Sequence, residues 1–106
     1  MTRLLAVPAV LVAFAAGGVS VADAATARIK VGDDFFSPKA KTVKKGTKLK
    51  FVWVGEDKHN VVAKGAASRR SPIQEEGVFA FKARKKGTIK LICEVHDDMK
   101  ASVRVN

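Results

Sequence analysis

The sequence predicts an all-β fold, a small antiparallel β-sandwich of seven to eight strands. Three observations carry this. Apolar and polar residues alternate at period two in several short runs, the pattern of half-buried strands. No stretch after residue 24 shows a sustained helical stripe. Glycine-bearing turns separate the runs at the spacing of a sandwich. In order, "ARIKV" (27–31) places Ile29 and Val31 on one face. "KLKFVWV" (48–54) sets Leu49, Phe51 and Trp53 against Lys48 and Lys50. "HNVVA" (59–63) reads as a short strand, and "VFAFK" (78–82) pairs Phe79 with Phe81. "TIKLIC" (88–93) directs Ile89, Leu91 and Cys93 to one side, and "ASVRV" (101–105) aligns Ala101, Val103 and Val105. "KKGT" occurs at 44–47 and 85–88, each time before a strand, where glycine supplies a positive φ at low steric cost. "SPK" (37–39) and "SRRSPIQEEG" (68–77) read as loops.

The chain is 106 residues long. It opens with Arg3, an apolar run from Leu4, and small residues ending at Ala22-Asp23-Ala24, the form of a cleavable export signal. We therefore expect residues 1–24 to be a signal peptide, residues 25–106 to form one domain, and the protein to be periplasmic or extracellular with no membrane span after cleavage. The leader holds one base and one acid, so the remaining chain keeps the formal charge of +10. That balance favours acidic partner surfaces. The lysines fall on polar alternations and in turns, and few aromatic residues are arranged for stacking, which argues against nucleic acid as the partner.

After the leader the chain has one cysteine, one methionine and two histidines: Cys93, Met99, His59 and His96. A single cysteine in an oxidising compartment cannot form an internal disulfide, so its presence asks for another explanation. Three of the four residues lie in "CEVHDDM" (93–99). Cys93 ends an alternating strand and points inward, so the three side chains converge only if the chain turns directly after it. His59, from another part of the sandwich, then closes the set. Two imidazoles and a thiolate with a weak thioether are the donors of blue-copper electron-transfer sites. Zinc prefers a closed set of N, S and O donors, for which a thioether is a poor fourth member.

The stretches "DDFFSPK", "VKKGTKLKFVWVGEDKHNVV" and "GVFAFKARKKGTIKLICEVHDDMKASVRV" resemble a cupredoxin of the plastocyanin and amicyanin group, over about Arg28 to Val105. The resemblance implies a Greek-key sandwich holding one type 1 copper ion. It implies His59, Cys93 and His96 as equatorial ligands and Met99 as the weak axial one. Asn60 would tie the two ligand loops together close to the thiolate, and His96 would be the electron port. The two-and-two spacing of the loop is similar to amicyanin. Val95 stands where related loops often carry proline, and Lys100-Ala101 replaces a common x-Gly. Glu94, Asp97 and Asp98 give the port acidic surroundings.

The expected function is one-electron shuttling by a monomer to a redox protein partner. The alternative is copper capture or delivery in the envelope without electron transfer. An enzyme with further copper centres would need more histidines than the two present.

Overall fold

The computed structural model describes residues 25–106; the leader expected over residues 1–24 lies outside them. Nine strands follow in order: β1 (Thr26–Gly32), β2 (Phe35–Ser37), β3 (Ala40–Val43), β4 (Lys48–Trp53), β5 (Val62–Gly65), β6 (Arg69–Arg70), β7 (Val78–Lys82), β8 (Gly87–Ile92) and β9 (Lys100–Val105). They form two sheets, ordered β2-β1-β4-β7 and β3-β9-β8-β5-β6. The expected all-β sandwich is borne out.

Each alternating run buries one of its faces. Ile29 and Val31 of β1, Leu49, Phe51 and Trp53 of β4, Phe81 of β7, Ile89 and Leu91 of β8, and Val103 and Val105 of β9 build a single core between the sheets. Phe51 stacks on Phe81 with ring centroids 5.8 Å apart and tilts against Phe79 at 6.3 Å. Burial of aromatic surface of this size dominates the energetics of a small core. Both "KKGT" turns use their glycine at positive φ, Gly46 at 97° and Gly87 at 131°.

Pairing departs from the antiparallel expectation at two places. β1 runs parallel to β4, and β3 parallel to β9. Alternation fixes which face of a strand is buried, but not its direction. Between β1 and β4 the chain makes β2 on the first sheet and β3 on the second, and this crossover returns β4 in the direction of β1. Three strands beyond the expected set are β2, β3 and β6. All are short edge elements; β3 buries only Val43 of its four residues, and β6 is two exposed arginines, so neither carries a usable alternation. The run at 59–63 becomes a strand only from Val62. His59 instead forms an isolated bridge with Gln74.

The outer faces of both sheets carry facing cations. Lys48 opposes Lys82, Lys64 opposes Lys90, and Arg28 is the parallel partner of Lys50. Like charges directly across a strand pair are destabilising. Lys82→Glu turns one such pair attractive. We expect a gain of about 0.5 kcal/mol in urea unfolding of the metal-free protein, shrinking as added salt screens the charges.

Candidate metal centre

Four connections meet at one end of the sandwich: the β1–β2 turn, the β4–β5 loop, the segment between β6 and β7, and the β8–β9 loop. The site is built from all four.

His59 is fixed from three sides. Its backbone N–H and C=O exchange hydrogen bonds with those of Gln74, each 3.0 Å long. Its C=O also accepts the indole N–H of Trp53 at 3.2 Å. Its ring Nε2 lies 3.0 Å from Asp33 Oδ1. The Asp33 carboxyl is pulled down to about 2 from its ordinary 3.8, first by His59 and then by the backbone N–H groups of Asp57 and Glu56. An ionised carboxylate only accepts, so Nε2 must be the donor. The Nδ1 lone pair is left free, facing the interior.

Cys93 follows β8 at its next inward position and is buried. The chain then turns, as convergence of the three side chains requires. The Val95 N–H donates to Cys93 Sγ at 3.4 Å. The Met99 N–H donates to the His96 carbonyl, and the Cys93 N–H to the Met99 carbonyl, both at 3.2 Å. These two bonds pinch the loop shut and leave Met99 completely buried at its foot. His96 is half-buried, with its ring centroid 4.6 Å from that of His59.

One ligand atom from each of His59, Cys93 and His96 lies within 4.8 Å of the others. The sequence-predicted residues 59, 93 and 96 are thus brought together across the sandwich. Two further atoms test the fit of a metal: Nδ1 of His59 and Nδ1 of His96 are buried and have no hydrogen-bond partner among the described residues. Buried polar atoms are nearly always satisfied. Two unsatisfied imidazole nitrogens beside one thiol form a donor set, and its N and S character suits zinc or copper among the common metals.

Asn60, buried beside His59, ties the two loops together. Its Oδ1 accepts the Glu94 N–H at 2.8 Å, and its Nδ2 donates to Glu94 Oε1 at 2.7 Å. Asn60 therefore grips the residue after the cysteine, while the backbone donor to the sulfur comes from Val95. Arg70 of β6 bonds the other oxygen of the same carboxylate. Arg70 first, then Asn60, holds the Glu94 carboxyl below its ordinary range.

Sequence reasoning missed Asp33, Arg70 and the structural use of Glu94. Asp33 is 26 residues from His59 and Glu94 is 24 from Arg70, and no local spacing joins either pair. A weaker signal was available. The acids after the leader are Asp33-Asp34, Glu56-Asp57, Glu75-Glu76, Glu94 and Asp97-Asp98, and every one falls in a connection between strands. Those four connections are the ones that meet here. The centre therefore has an acidic rim on a chain whose sheet faces and opposite end are basic.

A family model described as a cupredoxin-like domain matches residues 4–105. No curated protein sequence matches the chain. Among solved structures, the oxidised plastocyanin of the fern Dryopteris crassirhizoma is 28% identical over 76% of this chain and 100% of its own, with a TM-score of 0.66. A reduced Cu(I) amicyanin variant is 23% identical, covering 82% of this chain and 87% of its own, at 0.68. A copper-containing nitrite reductase of Thermus scotoductus is 22% identical over 87% of this chain, at 0.69, but only 25% of that longer chain is covered. The last two likenesses concern the fold.

Proposed function

The chain belongs to the cupredoxin-like domain family, and from that premise we propose that it is a one-electron carrier of the cell envelope holding a single copper ion. The observation that carries this is the triangle of His59, Cys93 and His96 with its two unsatisfied Nδ1 atoms. When bound, copper supplies a Cu(I)/Cu(II) couple. His59, Cys93 and His96 would hold the ion, with the buried Met99 thioether as a weaker fourth donor.

The residues divide the work. Hydrogen bonds from Gln74, Trp53 and Asp33 fix His59, and the Asn60–Glu94 clasp fixes the loop after Cys93. Rigid donors allow a change of charge with little rearrangement. The core excludes water from Cys93 and Met99. His96, the one half-buried donor, is the port through which the electron passes. Val95 beside it is an exposed apolar residue, 44% accessible, suited to close and transient contact.

Copper delivery is the weaker reading. A donor site that hands over its ion needs ligands able to swing clear, and His59, Cys93 and Met99 are buried and backbone-pinned. Enzymatic turnover at a second copper centre would need further histidines, and the chain has two in all. Titration of the metal-free protein with Cu(II) is expected to give one equivalent of binding with an intense visible thiolate-to-copper band. Cys93→Ser should abolish the band. A colourless complex of the unaltered chain would overturn the proposal.

The partner is a redox protein that meets the acidic rim, so its docking surface is basic, despite the net charge of +10. Local charge at the port governs encounter more than distant charge does, because salt screens beyond about 8–10 Å. The reduced protein is expected to react faster with a cationic metal complex than with an anionic one of matched driving force. Added salt should slow the first reaction. The reverse order would place contact on the basic sheet faces.

Export rests on the leader alone, with cleavage after Ala24 as its expected form. The mass of protein recovered from the envelope of expressing cells should correspond to a chain beginning at Ala25. An intact Met1 terminus would contradict it.

A further inference from the structure

We propose that Asp33 is a positioning residue of this centre: its carboxylate keeps the His59 proton on Nε2, aims the Nδ1 lone pair at the site, and by its charge favours the more oxidised metal. The second half rests on the copper reading above; the first does not.

The geometry is specific. Asp33 Oδ1 receives His59 Nε2 at 3.0 Å and the backbone N–H groups of Glu56 and Asp57 at 3.0 and 2.9 Å; Oδ2 receives the Glu56 N–H at 3.1 Å. The carboxylate is thus clamped by the same loop that delivers His59, and it cannot drift from the imidazole. Space is reserved for it, since a Cβ at Gly55 would sit 2.2 Å from Asp33 Oδ1. The imidazole is wholly buried, whereas the carboxylate is 43% exposed, so its far side stays solvated and it keeps its charge.

A ligating histidine whose other nitrogen donates to a carboxylate is fixed in tautomer and made more basic. Loss of such a partner commonly costs about 10–100-fold in metal affinity. A fixed negative charge next to the site also favours the state of higher positive charge. Asp33 should therefore strengthen binding of Cu(II) more than binding of Cu(I), and lower the reduction potential.

The competing role is a loop staple, in which Asp33 only ties down the Glu56 and Asp57 amides. Three variants separate the two. Asp33→Asn can keep the Oδ1 contacts while removing the charge. Asp33→Ala removes both. Asp34→Asn removes an equal charge one residue away, at a φ of 77° that asparagine tolerates.

In the metal-free protein, nitrogen-15 correlation spectra of the imidazole should show the His59 proton on Nε2. That proton should stay on Nε2 in Asp33→Asn and distribute over both nitrogens in Asp33→Ala. With copper, Asp33→Asn should reduce the ratio of Cu(II) to Cu(I) affinity about tenfold more than Asp34→Asn does. For a one-electron couple this is a potential about 59 mV higher. A proton on Nδ1 in the unaltered metal-free protein, or equal potentials in the two asparagine variants, would overturn the proposal. Should the chain take no copper, the functional reading falls while the tautomer measurement still decides the role of Asp33. Should Asp33→Ala fail to fold, the unaltered chain and Asp33→Asn decide it alone.

Discussion

Two imidazole Nδ1 atoms are buried beside one thiol in the interior of this sandwich, and neither has a hydrogen-bond partner among the described residues. A buried polar atom left unpaired costs roughly 1–3 kcal/mol. The fold bears that cost twice in one place, and the surrounding contacts hold it there. Gln74 and Trp53 fix the backbone of His59, and two backbone bonds pinch the loop from Cys93 to Met99. The donors are thus arranged before any ion arrives, and their cost is recovered only when one does.

Charge follows the same division of the molecule. The acids occupy the connections around the donors, while the cations face one another across the sheets. Two of the acids are tied into the site itself: Asp33 orients His59, and Glu94 is gripped by Asn60 and Arg70. Others, such as Asp97 and Asp98, lie exposed in the turn beside His96. Net charge, the one electrostatic quantity read directly from composition, thus has the opposite sign to the acidic connections around His96. The facing lysines act against sheet stability, and only Lys82 among them, on the edge strand β7, also places charge on a sheet edge.

The sequence made the sandwich legible because five of its runs alternate cleanly, and those five became β1, β4, β7, β8 and β9. The donor triangle was legible because the chain holds so few sulfur and imidazole side chains that those present form a single set. Strand direction was not legible, since a parallel and an antiparallel partner bury the same face. Edge strands β2, β3 and β6 were hidden because they are only two to four residues long, too short for an alternation to register, although β2 buries Phe36 and β3 buries Val43. Asp33 escaped notice for a different reason. Its hydrogen bond to His59 depends on the β1–β2 turn and the β4–β5 loop lying side by side, which is a property of the sheet order and not of any local pattern.

The domain also poses a stability problem that bears on the metal. It is about 80 residues long, its single cysteine allows no internal disulfide, and its sheets carry facing like charges. Small domains with a limited core usually add a staple. An ion held by donors from the β4–β5 and β8–β9 loops is such a staple, because it joins the β4 side of one sheet to the β8–β9 hairpin of the other. Binding to the folded but not the unfolded chain adds its free energy to folding. The two unsatisfied nitrogens, unfavourable in the metal-free state, are therefore the means by which metal binding adds to the stability of the closed sandwich.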